Sequence, residues 1–173
     1  MTTAMRCDEC QGTMAARVAT EERPYLYTLS GLHGVGLVGI TVWTCGTCGE
    51  QSPEVPRMGE LHRLIARTLI QQPHLLRGDE VRFLRKQAGF AAGEFATLLG
   101  VDRTHLSRVE NEHTPTLGET SDRLVRALVT IAMGGEADRQ SLLTLARKLV
   151  KPRRRSAHPC IFALSHNHWK VAA

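Results

Sequence analysis

The chain changes its hydrophobic period near residue 57. Before that point the run YLYTLSGLHGVGLVGITVWTC, residues 25–45, alternates loosely between apolar and polar positions and carries glycines at 31, 34, 36 and 39. Loose alternation broken by glycine suits short, bulged strands and does not suit a helix. The two prolines of QSPEVP, residues 51–56, end this segment. From Met58 the run MGELHRLIARTLIQQ puts Leu61, Leu64, Ile65, Thr68 and Leu69 on one face, which predicts a helix over 58–72. PHLLRG then breaks the period, so Pro73 to Gly78 reads as a turn or linker.

Residues 79–150 repeat the helical pattern in short pieces. DEVRFLRKQAG opens on Asp79 as a candidate cap and stops at Gly89. AAGEFATLLG stops at Gly100 in the same way, and DRTHLSRVEN opens on Asp102. TLGETSDRLVRALVTIAM carries Leu117, Leu124, Leu128 and Ile131 at helical intervals before Gly134 and Gly135, and EADRQSLLTLARKLV supplies a last helix. The final stretch, KPRRRSAHPCIFALSHNHWKVAA, has two prolines and no sustained period and reads as a mobile tail. The predicted fold class is α+β. A small β-rich module, 1–56, is followed by a connecting helix and linker, 57–78, an all-α domain of about five helices, 79–150, and a basic, disordered tail, 151–173.

Composition narrows the setting. At 173 residues and 42% hydrophobic, the chain can bury a core as one domain or two small ones. It has no run of 18 apolar residues, which argues against a membrane span, and MTTAMRCDEC lacks the flank and apolar stretch of a signal peptide. A reducing cytoplasm is the expected compartment, where an odd count of five cysteines points away from a disulfide framework. The net charge of +5 is uneven, because residues 1–78 hold seven basic and seven acidic side chains and residues 79–150 hold ten of each. The excess is Lys151, Arg153, Arg154, Arg155 and Lys170 in the tail. Charge alone therefore does not assign the folded domains to nucleic acid.

The cysteines carry the first chemistry. Cys7 and Cys10 in RCDECQG repeat the spacing of Cys45 and Cys48 in TCGTCGE, with 34 residues between the pairs. Each Cys-x-x-Cys supplies two thiolates from one tight turn, and four thiolates make the closed shell that structural zinc prefers. Gly12 and Gly49, just after each pair, ease backbone approach to the sulfurs. A four-thiolate iron site has the same spacing, whereas a thioredoxin-like redox pair needs a βαβ context that this segment lacks. A full shell leaves no place for substrate, so the metal holds the module together. Cys160 beside His158, with His166 and His168 nearby, reads as an exposed thiol in an unstructured tail, with a second metal site as the alternative. His33, His62 and His74 are scattered and suggest no role.

The helical stretch carries the second. EFATLLG followed by Gly100-Val101 and DRTHLSRVEN has the form of two helices joined by a short glycine-containing turn. Ala96 is small where the helices should cross, and Phe95, Leu99, Val101, Leu106 and Val109 are apolar where they should face a core. Arg103, Thr104, Ser107 and Arg108 are left on the outer face. The segment 79–131 resembles the Cro/CI-type (XRE) helix-turn-helix through Leu84, Arg85, Gly89, Phe95, Ala96, Leu99, Gly100, Val101, Ser107, Arg108, Glu110, Asn111 and Pro115. That resemblance implies a second helix in the DNA major groove, with Arg103, Thr104 and Arg108 reaching bases and Ser107 a weaker candidate. Ala92 stands where relatives often carry a glutamine that contacts phosphate.

The two halves together resemble the MqsA-type antitoxins and related YgiT-type zinc-finger proteins, on Cys7, Cys10, GLHGVGLVGITVWTC, Cys48-Gly49-Glu50 and the helix-turn-helix downstream. The resemblance implies a homodimeric, non-enzymatic repressor of its own operon that binds double-stranded DNA, carries one structural zinc ion and neutralises a toxin protein through the zinc module. The alternative is a zinc-ribbon interaction adaptor whose helical domain only dimerises. No paired nucleophile and base, carboxylate pair or phosphate loop suggests an enzyme.

Overall fold

The computed structural model describes residues 5–134 and 159–172. The predicted helix over 136–150 and the basic run 151–155 lie outside these residues. The chain divides into two compact units. One draws on Met1–Thr28, Gly34–Leu61 and His158–Ala173, the other on Leu29–His33 and His62–Ala157.

The first unit is built of strands. β1 (Met14–Val18), β4 (Thr41–Cys45) and β5 (Gln51–Pro53) form an antiparallel sheet in the order β1-β4-β5. β2 (Tyr25–Leu26), β3 (Val35–Val38), β6 (Cys160–Ser165) and β7 (His168–Val171) form a second sheet in that order. The expectation of short strands in the glycine-rich run holds, and a short 3-10 turn at Thr28–Ser30 separates β2 from β3. Leu37 and Phe162 are opposite one another in the β3–β6 register and are both buried.

The end of the chain departs from the reading as a disordered tail. Among its described residues, Cys160 to Val171 is a β-hairpin whose first strand lies parallel to β3. Its turn residues, His166 and Asn167, both take positive φ, 49° and 62°, the backbone that two-residue hairpins require. Trp169 is buried and its indole N–H donates to the carbonyl of Pro56 at 2.9 Å. Cys160 is half-buried in β6 and is not an exposed thiol.

The described part of the second unit is helical. α1 (Met58–Gln71) begins within the first unit's residues and continues into the second. Its predicted face is buried at Leu61, Ile65 and Leu69, with Ala66 and Ile70 added, while Leu64 and Thr68 are half-buried. α2 (Gly78–Gln87), α3 (Ala92–Leu99), α4 (Arg103–Glu110) and α5 (Glu119–Ala132) follow. Their core gathers Val81, Leu84, Phe95, Ala96, Leu99, Leu106, Val109, Val125 and Val129. Phe90 and Phe95 stack with ring centroids 5.3 Å apart.

Two helix readings change. Asp79 is not a cap: α2 starts at Gly78, with Arg77 as its N-cap, two residues earlier than expected, and the Glu80 carboxylate accepts the Arg77 N–H at 2.8 Å. In α5 the buried face is Asp122, Val125, Arg126 and Val129, whereas Leu124 and Leu128 are half-buried and Ile131 is exposed. The reason is a buried arginine. Arg126 donates to Asp122 at 2.7 Å and to the carbonyls of Leu69, Ile70, Gln72 and His74 at 2.6–3.0 Å. It thereby satisfies carbonyls at the C-terminal end of α1, which no intrahelical partner serves. Asp122 also accepts the Leu76 N–H at 2.6 Å, so one ion pair fixes both the helix end and the turn after it.

Candidate metal centre and nucleic-acid interface

Strand register brings the cysteines together. Met14 pairs with Cys45 in the β1–β4 ladder, so the turn that precedes β1 and the turn that ends β4 meet at one end of the sheet. In the first turn the Gln11 N–H donates to the Cys7 carbonyl at 2.9 Å, and in the second the Gly49 N–H donates to the Cys45 carbonyl at 3.1 Å. The glycines after each pair serve different needs. A Cβ on Gly12 would meet Thr47 Oγ1 at 2.6 Å and Cys45 Sγ at 3.0 Å, so close approach requires glycine there. Gly49 has open space around it and instead supplies a left-handed φ of 78°.

All four sulfurs lie within 4.8 Å of one another. Cys10 Sγ is 3.4 Å from both Cys45 Sγ and Cys48 Sγ, and Cys7 Sγ is 3.6 Å from Cys48 Sγ. These separations exceed the bonded length of about 2.05 Å by far, so the cysteines are free thiols. They approach the spacing of about 3.8 Å that four sulfurs take around one ion at about 2.3 Å. Cys7 and Cys45 are buried with Met14, and Met5 and Trp43 pack against them, while Cys10 and Cys48 face solvent.

Thiol ionisation is sorted unequally. The N–H groups of Cys48 and Thr47 pull Cys45 down to about 6. At Cys48 the Glu50 amide acts in the same sense, but the sulfurs of Cys10, Cys45 and Cys7 and local desolvation push that thiol up to about 12. Cys10 is also raised, its neighbouring sulfurs Cys45 and Cys7 outweighing the Gly12 amide. Four adjacent sulfurs resist ionising together, and a cation among them removes that resistance. Geometry and donor chemistry both fit a metal ion.

The second site is the pair α3–α4. Gly100 ends α3 in the left-handed conformation at φ 66°, and its N–H donates to the carbonyls of Ala96 and Thr97. Asp102 caps α4 as expected, accepting the Thr104 N–H at 2.7 Å, and those amides hold its carboxyl below the ordinary range. Phe95, Leu99, Leu106 and Val109 are buried and Val101 is half-buried. Arg103, Thr104, Ser107 and Arg108 are all exposed on α4. Asn111 follows α4 and donates to the Ser107 carbonyl at 2.8 Å and to its hydroxyl at 3.3 Å.

One part of this site was not read from the sequence as an interaction. Arg85 in α2 grips Glu110 at the end of α4 with two bonds, 2.7 and 2.8 Å, and donates a third to the Phe90 carbonyl at 3.0 Å. Both side chains are buried, and the Glu110 carboxylate raises the Arg85 guanidinium above its ordinary value. Twenty-five residues separate the partners, so no i,i+4 signal marks them, and only their shared place in the resemblance hinted at importance.

Residues 81–128 match the family model described as helix-turn-helix, HTH_3. Over that span the chain carries a domain of the Cro/CI-type helix-turn-helix kind, which is found in DNA-binding regulators. The chain matches no curated protein and no solved structure. Among the described residues, no helix is long and apolar enough to cross a membrane.

Proposed function

We propose that the protein is a sequence-specific transcriptional repressor that reads the DNA major groove with α4. The observation that carries this is the exposed polar face of Arg103, Thr104, Ser107 and Arg108, presented by a helix whose other face is buried within a matched helix-turn-helix domain. Arginine at such a position can hold guanine O6 and N7 together, and threonine and serine can bond a base edge or a phosphate. The repressor works in the cytoplasm as a homodimer reading two half-sites about 34 Å apart.

The ion in the four-cysteine site is zinc, one per chain. Four thiolates close its shell, so it shapes the β module and performs no catalysis. The joining of such a module to a helix-turn-helix supports the role suggested by the MqsA-type resemblance. In that role the protein is the antitoxin of a type II toxin–antitoxin operon, with the β module as the surface for the toxin. Binding of duplex DNA, followed by gel shift across a salt series, tests the first part. Affinity should fall steeply with salt and be lost on replacing Arg103 and Arg108, whereas absence of binding would refute it. Co-purification with the product of an adjoining small reading frame tests the second, and a neighbouring product that neither co-purifies nor is neutralised by the chain would refute it.

A further inference from the structure

A second cluster of metal-ligating side chains lies within the helical unit, remote in sequence from the cysteines. His33 comes from the Leu29–His33 segment, Asp79 from the first turn of α2, and Glu112 from the loop just beyond α4. One ligand atom from each lies within 4.8 Å of the other two. His33 Nδ1 is 3.1 Å from Asp79 Oδ2 and 3.3 Å from Glu112 Oε1. Two donors bound to one ion at about 2.1 Å stand roughly 3.0 Å apart in octahedral geometry and 3.4 Å in tetrahedral geometry. The ring nitrogen therefore already holds the spacing of a shared ion.

The surroundings hold the carboxylate in one position. Asp79 is fully buried at its side chain, whereas His33 and Glu112 are open to solvent. Arg77 forks onto Asp79, Nε to Oδ1 at 3.0 Å and Nη2 to Oδ2 at 2.8 Å, and also donates to the His33 carbonyl at 3.0 Å. The His33 N–H donates to Asp79 Oδ2 at 2.8 Å. These bonds fix the carboxylate in place, as partners of metal ligands commonly do, and Oδ2 carries two of them. Beneath them α2 and α4 meet closely, since a Cβ on Gly78 would fall on the Val109 carbonyl. A cleft of about 410 Å³, lined by His33, Arg77, Gly78, Glu112, Thr114 and Pro115, opens onto the cluster and has room for water ligands.

We propose that His33, Asp79 and Glu112 form a second metal site, open to solvent, for a divalent first-row transition ion. One imidazole and two carboxylates suit cobalt, nickel, manganese, iron or zinc, and are a harder donor set than the four thiolates. The site lies against the loop that follows α4, and Glu112 is held there at a left-handed φ of 62°.

Equilibrium dialysis of the full chain, its cysteine site already filled, against Co²⁺ tests this, with bound cobalt counted by mass spectrometry. Absorption separates the two sites, because only cobalt on cysteine gives an intense thiolate charge-transfer band. The expected result is one further cobalt per chain without that band, and a more than tenfold loss of affinity in both His33→Ala and Glu112→Gln. Glu112 is exposed, so its glutamine variant keeps the fold, which circular dichroism checks. No cobalt uptake beyond the cysteines, or uptake that neither variant weakens, overturns the proposal and leaves a proton-bridged network. Neither outcome depends on whether the chain binds DNA.

Discussion

Arg108 in α4 and Arg85 in α2 lie in two packed helices yet face opposite demands. Arg108 is exposed, so its replacement by alanine should leave stability nearly unchanged and weaken specific DNA binding by about 1–3 kcal/mol, read by gel shift. Arg85 is buried on Glu110, so Arg85→Met should destabilise the helical unit by about 3–5 kcal/mol by leaving a buried carboxylate unpaired. Pairing it with Glu110→Leu should recover much of that loss, measured by thermal melting. A double variant as unstable as Arg85→Met alone would show that the ion pair itself, and not its imbalance, carries the stability. Single residues were unevenly legible. Asp102 declared itself as a cap because capping is local, while Asp79 misled because the same local signal was overridden by its buried bonds to Arg77 and His33. Arg126 showed only its i,i+4 spacing from Asp122, because its other partners are carbonyls at the end of another helix and leave no sequence pattern.

The first turn of α2 makes the helical unit sensitive to acid. Asp79 titrates below its ordinary value in the folded chain, so between the folded and unfolded values the unfolded chain binds more protons. Its contribution is complete above the unfolded carboxylate value of about 3.9 and is lost as pH falls through the folded value. Melting temperature should thus drop on acidification below about pH 4, with a shallower drop in Asp79→Asn. An equal slope in both proteins would place the acid sensitivity elsewhere. At this scale the sequence announced α1 to α5 and the short strands within residues 25–45, because their periods and stops are local. It hid β6 and β7. The partner of β6 is Val35–Val38, far earlier in the chain, and a pairing across that distance leaves no periodic trace. Ser165-His166-Asn167-His168 was the available hairpin signal, masked by a basic, proline-containing run before it.

Across the whole molecule, two covalent stretches remote from each other complete one unit. Deleting residues 159–173 removes the strands beside β3 and exposes Leu37 and Val38, both now buried. The deletion should abolish the cooperative melting of the β unit while helical signal from the other unit persists. Metal removal should act on the same unit through the other sheet. Trp43 packs against Cys7, Met14 and Cys45, so in a Trp169→Phe background a strong chelator should shift its emission to the red. Unchanged emission after verified metal loss would show that the β module folds without the ion. The organisation into a cysteine-bearing β part and a helical reader was readable from period and spacing. The return of the chain end to the β part was not.

The function proposed for the helical unit turns on whether the exposed face of α4 reads DNA sequence. Selection of bound duplexes from a random pool by the full-length protein tests it most directly. A defined motif with repeated half-sites should be enriched, and should be lost or changed when Arg103 and Arg108 are replaced by alanine. A pool that stays random, or a motif that the double variant enriches unchanged, would contradict it.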